Sequence, residues 1–162
     1  MMEWLTALEG SALASWLRES GSIWAYPTVL TAHTVGLALL VGASTALDLR
    51  VLGVASRIEL DHLRPLFRVM WAGFWLNFAS GVLLFAADAT TKGTTVVFMI
   101  KLACIAASVV VLVLLRRRLF APGVVPRAGG AARGLAVASL ALWMIAITTG
   151  RFMAYPGLLF GL

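Results

Sequence analysis

Between Ser20 and Leu47 the chain contains no Asp, Glu, Lys or Arg. A helix rises about 1.5 Å per residue and a bilayer core is about 30 Å thick, so about 20 apolar residues are enough to cross it. Three further runs reach this length, and the four predicted spans are residues 23–47, 66–87, 95–115 and 134–155. Lipid cannot satisfy exposed backbone groups, and a barrel would need many alternating strands. The sequence therefore predicts an all-α integral membrane four-helix bundle.

The overall composition supports lipid as the solvent of this chain. Hydrophobic residues make up 61% of the 162 residues and charged residues only 12%, whereas soluble domains carry roughly a quarter charged residues. The net charge of +6 comes from arginines in short patches between the apolar runs, not along one amphipathic face. Arginine beside a span is typical of contact with a membrane surface. We therefore expect the lipid bilayer as a partner, and no nucleic acid.

The first residues of the chain differ from the spans. Apolar residues recur there at helical spacing, with Glu3 and Glu9 on other faces; they are Trp4, Leu5, Leu8, Ala12 and Trp16. This pattern predicts an amphipathic helix over residues 1–20, followed by a four-transmembrane-helix domain over residues 21–162. The pattern leaves two positions open for the helix, which could lie on the membrane surface or pack on the bundle.

The distribution of Lys and Arg predicts how the bundle is oriented. Four spans place the first and third loops on one side, which holds nine basic residues: Arg50, Arg57, Arg64, Arg68, Arg116, Arg117, Arg118, Arg127 and Arg133. The opposite side holds four: Arg18, Lys92, Lys101 and Arg151. Basic residues favour the cytoplasmic side. We therefore expect a multi-pass protein with both termini on the outer side.

Three polar residues lie at depth in the outer half of this predicted bundle. By helical rise, His33 lies roughly 13 Å from the outer boundary, Lys101 about 9 Å and Arg151 about 6 Å. A charged group in a bilayer costs at least about 2.5 kcal/mol, so it is usually buried against a partner or a cavity. Asp88 is the only obvious counter-charge. The pattern indicates a cofactor-binding site in which the positive charges of Lys101 and Arg151 exceed the negative charge available from the chain. A carboxylate, a propionate or a quinone oxygen of a bound molecule would balance this charge.

Each of these residues also has a structural interpretation. Arg151 could extend to the headgroups, and Lys101 could do the same or pair with Asp88. His33 could be a hydrogen-bonded contact between helices. The small residues that follow it, Gly36 and Gly42, leave room for a flat macrocycle or serve close helix packing equally well.

Other chemistries find little support in the sequence. Met99 and Met153 are possible soft ligands for haem iron or copper. There is no Cys/His cluster at zinc spacing, no HExxH, no glycine-rich phosphate loop and no GxSxG. His62 lies between charged residues in the first loop and is expected to be solvated. No catalytic residue can be assigned, and whether the protein is an enzyme stays open.

Four stretches carry a resemblance that covers nearly all of the spans: "AHTVGLALLVGASTALDLRVLG", "WAGFWLNFASGVLLFAADA", "FMIKLACIA" and "TTGRFMAY". They resemble a bacterial family of four-span membrane proteins of unknown function, which implies the inner membrane. More distantly, the layout is similar to copper-resistance D-type proteins and to HemJ-type protoporphyrinogen oxidases. The latter similarity implies haem b, with His33 as its axial ligand and Lys101 steering a propionate or a substrate carboxylate. The chain departs from that pattern in its length and in lacking a second intramembrane histidine.

Together these observations predict a haem b-binding or redox component of the inner membrane. His33 would be the metal ligand, and Lys101 and Arg151 would bind the haem propionates or an anionic partner. The alternative is a non-enzymatic protein: a copper or small-solute permease, or a scaffolding subunit of a membrane complex. A homo-oligomer is equally compatible with the small residues of the first span.

Overall fold

Four long apolar helices dominate the structure, a computed structural model that describes residues 2–123 and 125–153. In chain order the helices are α1 (Met2–Glu9), α2 (Ala12–Glu19), α3 (Tyr26–Leu52), α4 (Leu66–Ala86), α5 (Ala89–Thr94), α6 (Val96–Phe120) and α7 (Gly130–Phe152). A single 3₁₀ turn, Leu60–Leu63, precedes α4. Helices α3, α4, α6 and α7 are each long and apolar enough to cross a bilayer. The prediction of an all-α, four-span integral membrane bundle is confirmed.

Local sequence signals explain where several of these helices begin and end. Pro27 lies in the first turn of α3, where a missing N–H costs nothing. Gly53 ends this helix in a left-handed conformation, with φ +111°, and its N–H bonds back to the carbonyl of Arg50 at 3.1 Å. Pro65 directly precedes α4. These positions agree with the predicted breaks between the spans.

Three of the spans extend further than the sequence predicted. Helix α3 begins at Tyr26 rather than at residue 23 and continues past residue 47 to Leu52. Helix α6 continues past residue 115 to Phe120, so that Arg117 and Arg118 lie in its last turn, where cations interact favourably with the helix dipole. Helix α7 begins at Gly130 rather than at residue 134. The predicted end of the fourth span, residue 155, lies outside the described residues. The orientation of the bundle in the membrane stays a prediction.

The helices pack as two sequential pairs joined along one seam. Helix α3 packs most extensively against α4, and α6 against α7, while the contact between α3 and α7 holds the pairs together. Helices α4 and α6 meet through aromatic rings: Phe67 and Phe120 contact edge-on at 5.6 Å, and Phe85 and Phe98 stack at 5.2 Å. The spatial order α4–α3–α7–α6 thus gives α3 two large interfaces.

Two glycines set the distance between α3 and α4. A Cβ at position 36 would lie 2.6 Å from the backbone nitrogen of Asn77, and one at position 73 would lie 2.7 Å from that of Leu40. Such separations are far below van der Waals contact, so only glycine permits this approach. Gly36 therefore serves close helix packing, which was one of the two interpretations of its place beside His33.

Most of the buried apolar core lies in one half of the bundle. It brings together the C-terminal part of α3, the N-terminal parts of α4 and α7 and the C-terminal part of α6; its most enclosed members are Leu40, Leu47, Val51, Met70, Leu115, Leu119 and Ala136. We call this end the Asp48 half, after a buried carboxyl described below. The opposite end, with the start of α3 and α6 and the end of α4 and α7, is the His33 half.

The N-terminal segment forms two helices where the sequence predicted one. The break falls at Gly10 and Ser11, and the Ser11 hydroxyl accepts a hydrogen bond from the N–H of Ala14 at 3.4 Å. Leu5 of α1 is buried beside Gly93 of α5. The segment is thus packed on the bundle, while Trp4 and Trp16 stay exposed on its outer surface. Its contact with the membrane surface, and the division at residue 20, stay predictions.

Glu9 is the main polar link between this segment and the bundle. Its Oε2 accepts hydrogen bonds from the Thr90 hydroxyl at 2.6 Å and from the Thr90 N–H at 2.8 Å. These bonds, aided by the charge of Arg18, hold the pKa of the Glu9 carboxyl below its ordinary value of 4.5. The ionised carboxylate is therefore the form that the contact favours.

Acid is expected to weaken this link. Since the folded pKa is the lower one, the stabilisation is fully present above pH 4.5 and is lost as the pH falls through the folded pKa. Thermal unfolding of wild type and Glu9→Ala across this range checks it: the stability difference should be constant near neutrality and shrink in acid. Glu3→Ala, which removes an exposed carboxyl, is the control and should show no such trend. A Glu9 difference that persists unchanged in acid would contradict the assignment.

Candidate functional site

His33 lies between α3 and α4 and is held there by specific hydrogen bonds. Its Nδ1 is 3.0 Å from the backbone carbonyl of Asn77 and 3.2 Å from the hydroxyl of Ser80. In return, the Asn77 side-chain amide donates to the His33 carbonyl at 2.8 Å. A backbone carbonyl can only accept, so Nδ1 carries the proton and donates it. The neutral imidazole then has its free lone pair on Nε2.

Glycine on the facing helix makes room for this ring. A Cβ at position 81 would lie 3.2 Å from Cε1 of His33. The space beside the imidazole therefore comes from Gly81 of α4, because Gly36 is used for helix packing. Gly42, the other glycine considered from the sequence, is exposed with no atom within 4 Å of a Cβ built there.

Lys101 lies in the same half of the bundle, on α6. It is half-buried, and a Cβ at position 150 of α7 would lie 3.5 Å from its Nζ. His33 near the start of α3, Lys101 near the start of α6 and Lys92 in α5 all lie at this end of the bundle. Among the described residues Lys101 forms no ion pair.

Asp88 is paired with a different lysine from the one that the sequence suggested. Its Oδ2 lies 3.7 Å from Nζ of Lys92, one helical turn away, and Lys92 also donates to the Leu84 carbonyl at 2.8 Å. The proposed pairing of Lys101 with Asp88 is therefore wrong. The reason is that α5 forms a turn of helix in which residues 88 and 92 lie on one face.

Arg151 is exposed near the end of α7, and its neighbour Gly150 is the residue that approaches Lys101. Within the described part of the chain, no hydrogen bond or ion pair connects Arg151 to His33 or Lys101. The structure thus brings two of the three predicted site residues into one region and places the third at the surface of the same half. Met99 is exposed on α6, and Met153 directly follows α7.

Sequence reasoning missed most of the groups that position His33. From the sequence alone, Asn77, Ser80 and Gly81 were not connected with the histidine. Their spacing of three and four residues puts all three on one face of α4, and this signal could have found them. Lys92 was counted only for orientation, because its reach toward the bundle depends on the unforeseen helix α5.

A second group of buried polar side chains lies in the other half. Asp48, Ser44 and Ser139 are each at most 2% exposed. The Ser44 hydroxyl lies 3.4 Å from Oδ2 of Asp48 and 3.3 Å from the Ser139 hydroxyl, and it accepts a hydrogen bond from Nε1 of Trp143 at 3.3 Å. Asp48 directly follows the predicted end of the first span at residue 47, but α3 continues to Leu52, so residue 48 still lies inside the bundle, facing α7.

Within residues 2–123 and 125–153 there is no group of three or more His, Cys, Asp or Glu that could hold a metal ion. Two surface grooves occur, one between α4 and α6 beside Phe67 and Arg116, and one along the start of α3 beside Trp24. Neither is lined by His33 or Lys101.

Comparison of the chain with protein-family models, with curated proteins and with solved structures found no match. The resemblance to a bacterial four-span family therefore stays a prediction. Composition, helix lengths and packing define the class of the protein: it is an integral membrane protein with four spans.

Proposed function

We propose that this four-span protein binds haem b in its His33 half, with Nε2 of His33 as the axial ligand. The observation that carries the proposal is the hydrogen bond from His33 Nδ1 to the Asn77 carbonyl. Histidines that ligate metals usually donate their other ring N–H to a carbonyl or carboxylate, which fixes the tautomer and orients the ring. His33 has this arrangement, and its one free nitrogen is the atom that would face iron.

Lys101 supplies the second element of the proposal. Its ammonium is half-buried in the same region and forms no ion pair among the described residues, and the carboxylate of Asp88 already pairs with Lys92. An anionic group such as a haem propionate would balance this charge. Arg151, exposed at the end of α7, suits an anion at the membrane surface, either a second propionate or a charged partner. Bound haem would supply one-electron chemistry, and the chain's own residues would hold and orient it.

Absorption spectroscopy of the purified chain tests the proposal. Expressed with adequate haem supply and purified in mild detergent, the wild type should show a Soret band, and after dithionite reduction an α band of the b type. His33→Ala should lose both bands, whereas His62→Ala, which removes an exposed loop histidine, should keep them. Lys101→Met should retain less haem than wild type. A colourless wild type, or a His33→Ala variant that keeps its colour, would overturn the proposal.

The same hydrogen bonds favour a second candidate function. His33 and Asn77 tie α3 to α4 reciprocally, through Nδ1 to a carbonyl and through an amide to the His33 carbonyl. A scaffolding subunit would use such a link only to hold the helices in register. In that case His33→Ala would lower the thermal stability of the chain and its co-purification with partners, without any spectral change.

A further inference from the structure

Asp48 is a fully buried carboxyl for which neither the haem proposal nor the sequence accounts. It is 0% exposed, and its Oδ1 is the one buried side-chain N or O atom without a hydrogen-bond partner among the described residues. A buried polar atom without a partner is rare in folded proteins and points to a missing ligand, water or proton. Burial of a bare carboxylate is especially unfavourable, because nothing replaces its hydration.

No basic side chain of the surrounding elements neutralises Asp48. Arg50, two residues along α3, turns away and donates to the carbonyls of Ser56 and Ile58 in the following loop. Charged residues on the other neighbouring elements are exposed: Arg68 on α4, Arg133 on α7, Arg116 on α6, and Asp61 and His62 on the 3₁₀ turn. Among the described residues no Lys, Arg or His forms an ion pair with Asp48. Neutralisation of the carboxyl therefore falls to a proton or another cation from the surroundings.

The direction of the hydrogen bonds explains why Oδ1 is the oxygen of Asp48 that has no hydrogen-bond partner. Trp143 Nε1 can only donate, so Ser44 accepts from it and has its own proton for Asp48 Oδ2 or the Ser139 hydroxyl. The network therefore reaches Oδ2 and leaves Oδ1 outside it. A proton on Oδ1 makes the carboxyl neutral, so that the buried site carries no bare charge.

A metal cation fits this site less well than a proton. Hard cations such as Ca²⁺ and Mg²⁺ take six or more oxygen ligands. The described neighbours of Asp48 offer two hydroxyls, and the one on Ser44 is already engaged with Trp143. A proton needs no such shell and fits a site that no solvent reaches.

We propose that Asp48 is a proton-binding site, whose carboxyl carries an exchangeable proton on Oδ1 in the closed bundle. The residue lies one turn from the end of α3, roughly 6 Å along the helix from Leu52. The loop that follows, from Gly53 to Glu59, is exposed. The proton therefore exchanges with water on that side when the contact between α3 and α7 loosens. This site is independent of haem and is present whether or not haem binds.

Infrared spectroscopy of the full chain in detergent tests the proposal. At mildly acidic pH the wild type should show the carbonyl stretch of a protonated carboxylic acid. Asp48→Asn, in which a neutral amide replaces the carboxyl at the same size, should lose this band. Asp88→Asn removes an ionised carboxylate that pairs with Lys92, and this control should keep the band. A wild-type spectrum without such a band, or a band unchanged in Asp48→Asn, would overturn the proposal.

Two further measurements do not depend on a folded variant. Raising the pH of the wild type should remove the band, and returning to mildly acidic pH should restore it, because the proton is exchangeable. Added sodium chloride should leave the band unchanged when compared with choline chloride. A band that cannot be titrated, or one that sodium abolishes, would overturn the assignment, the latter result in favour of a metal cation as the occupant.

Discussion

Gly36→Ala is expected to destabilise the bundle by about 1–3 kcal/mol, the usual cost of overpacking a tight interface. The added methyl group would lie 2.6 Å from the backbone nitrogen of Asn77 and 2.9 Å from the carbonyl oxygen of Gly73. Both are backbone atoms, so no rotamer change can relieve the clash, and α4 must move away from α3. This displacement would also separate His33 from the Asn77 carbonyl. Unfolding in a detergent mixture of increasing denaturing strength measures the loss.

Gly42→Ala is the matched control for this experiment. It makes the same chemical change on the same helix, six positions away, where no atom lies within 4 Å of the new Cβ. Alanine also has the better helix propensity, by about 1 kcal/mol, so Gly42→Ala should leave stability unchanged or raise it slightly. Equal effects at both positions would show that the close approach of α3 and α4 is not the feature that matters.

Trp143→Ala is expected to have the largest effect of any single change in the Asp48 half, about 3–5 kcal/mol. The indole is 2% exposed at the seam between α3 and α7, and its N–H is bonded to Ser44. Truncation would leave a large cavity and would also free the Ser44 hydroxyl. Trp143→Phe keeps most of the ring but not the N–H, and should cost about 1 kcal/mol, the net contribution of one hydrogen bond.

Trp75→Ala provides the comparison for Trp143. Trp75 is 59% exposed on α4, where its ring faces lipid rather than another helix. Its removal should change the free energy of unfolding by less than about 0.5 kcal/mol, as is usual for surface positions. If the two alanine variants lose similar stability, the seam between α3 and α7 does not hold the bundle together in the way described.

The sequence was sufficient to predict the fold class and the four spans, because length and hydropathy determine whether a segment can cross lipid. It was insufficient to predict which side of each helix faces a neighbour. Helices α3 and α6 are apolar around their whole circumference, so no amphipathic stripe marks the buried face. Asp48 illustrates the difficulty. Four residues from a helix end, a carboxyl can face headgroups or another helix, and only the position of α7 decides between them.

The candidate site was predictable in part. Depth along the helices correctly placed His33 and Lys101 in the same half, because helical rise is nearly constant. The partner of His33 was not predictable, since the acceptor is a backbone carbonyl that every residue possesses. Which carbonyl it is depends on the register of α3 against α4, and the contact of Gly36 with Gly73 sets that register. Whether Arg151 shares the site stays a prediction, because sequence depth says nothing about rotation around α7.

His33 and Asp48 are carried by one uninterrupted helix, roughly 22 Å apart along its axis. They contact different neighbouring helices: the imidazole is hydrogen-bonded to α4, and the cluster around the carboxyl packs against α7. Because both groups lie on the same helix, we expect a rotation of α3 that moves Asp48 away from α7 to move His33 relative to α4 as well.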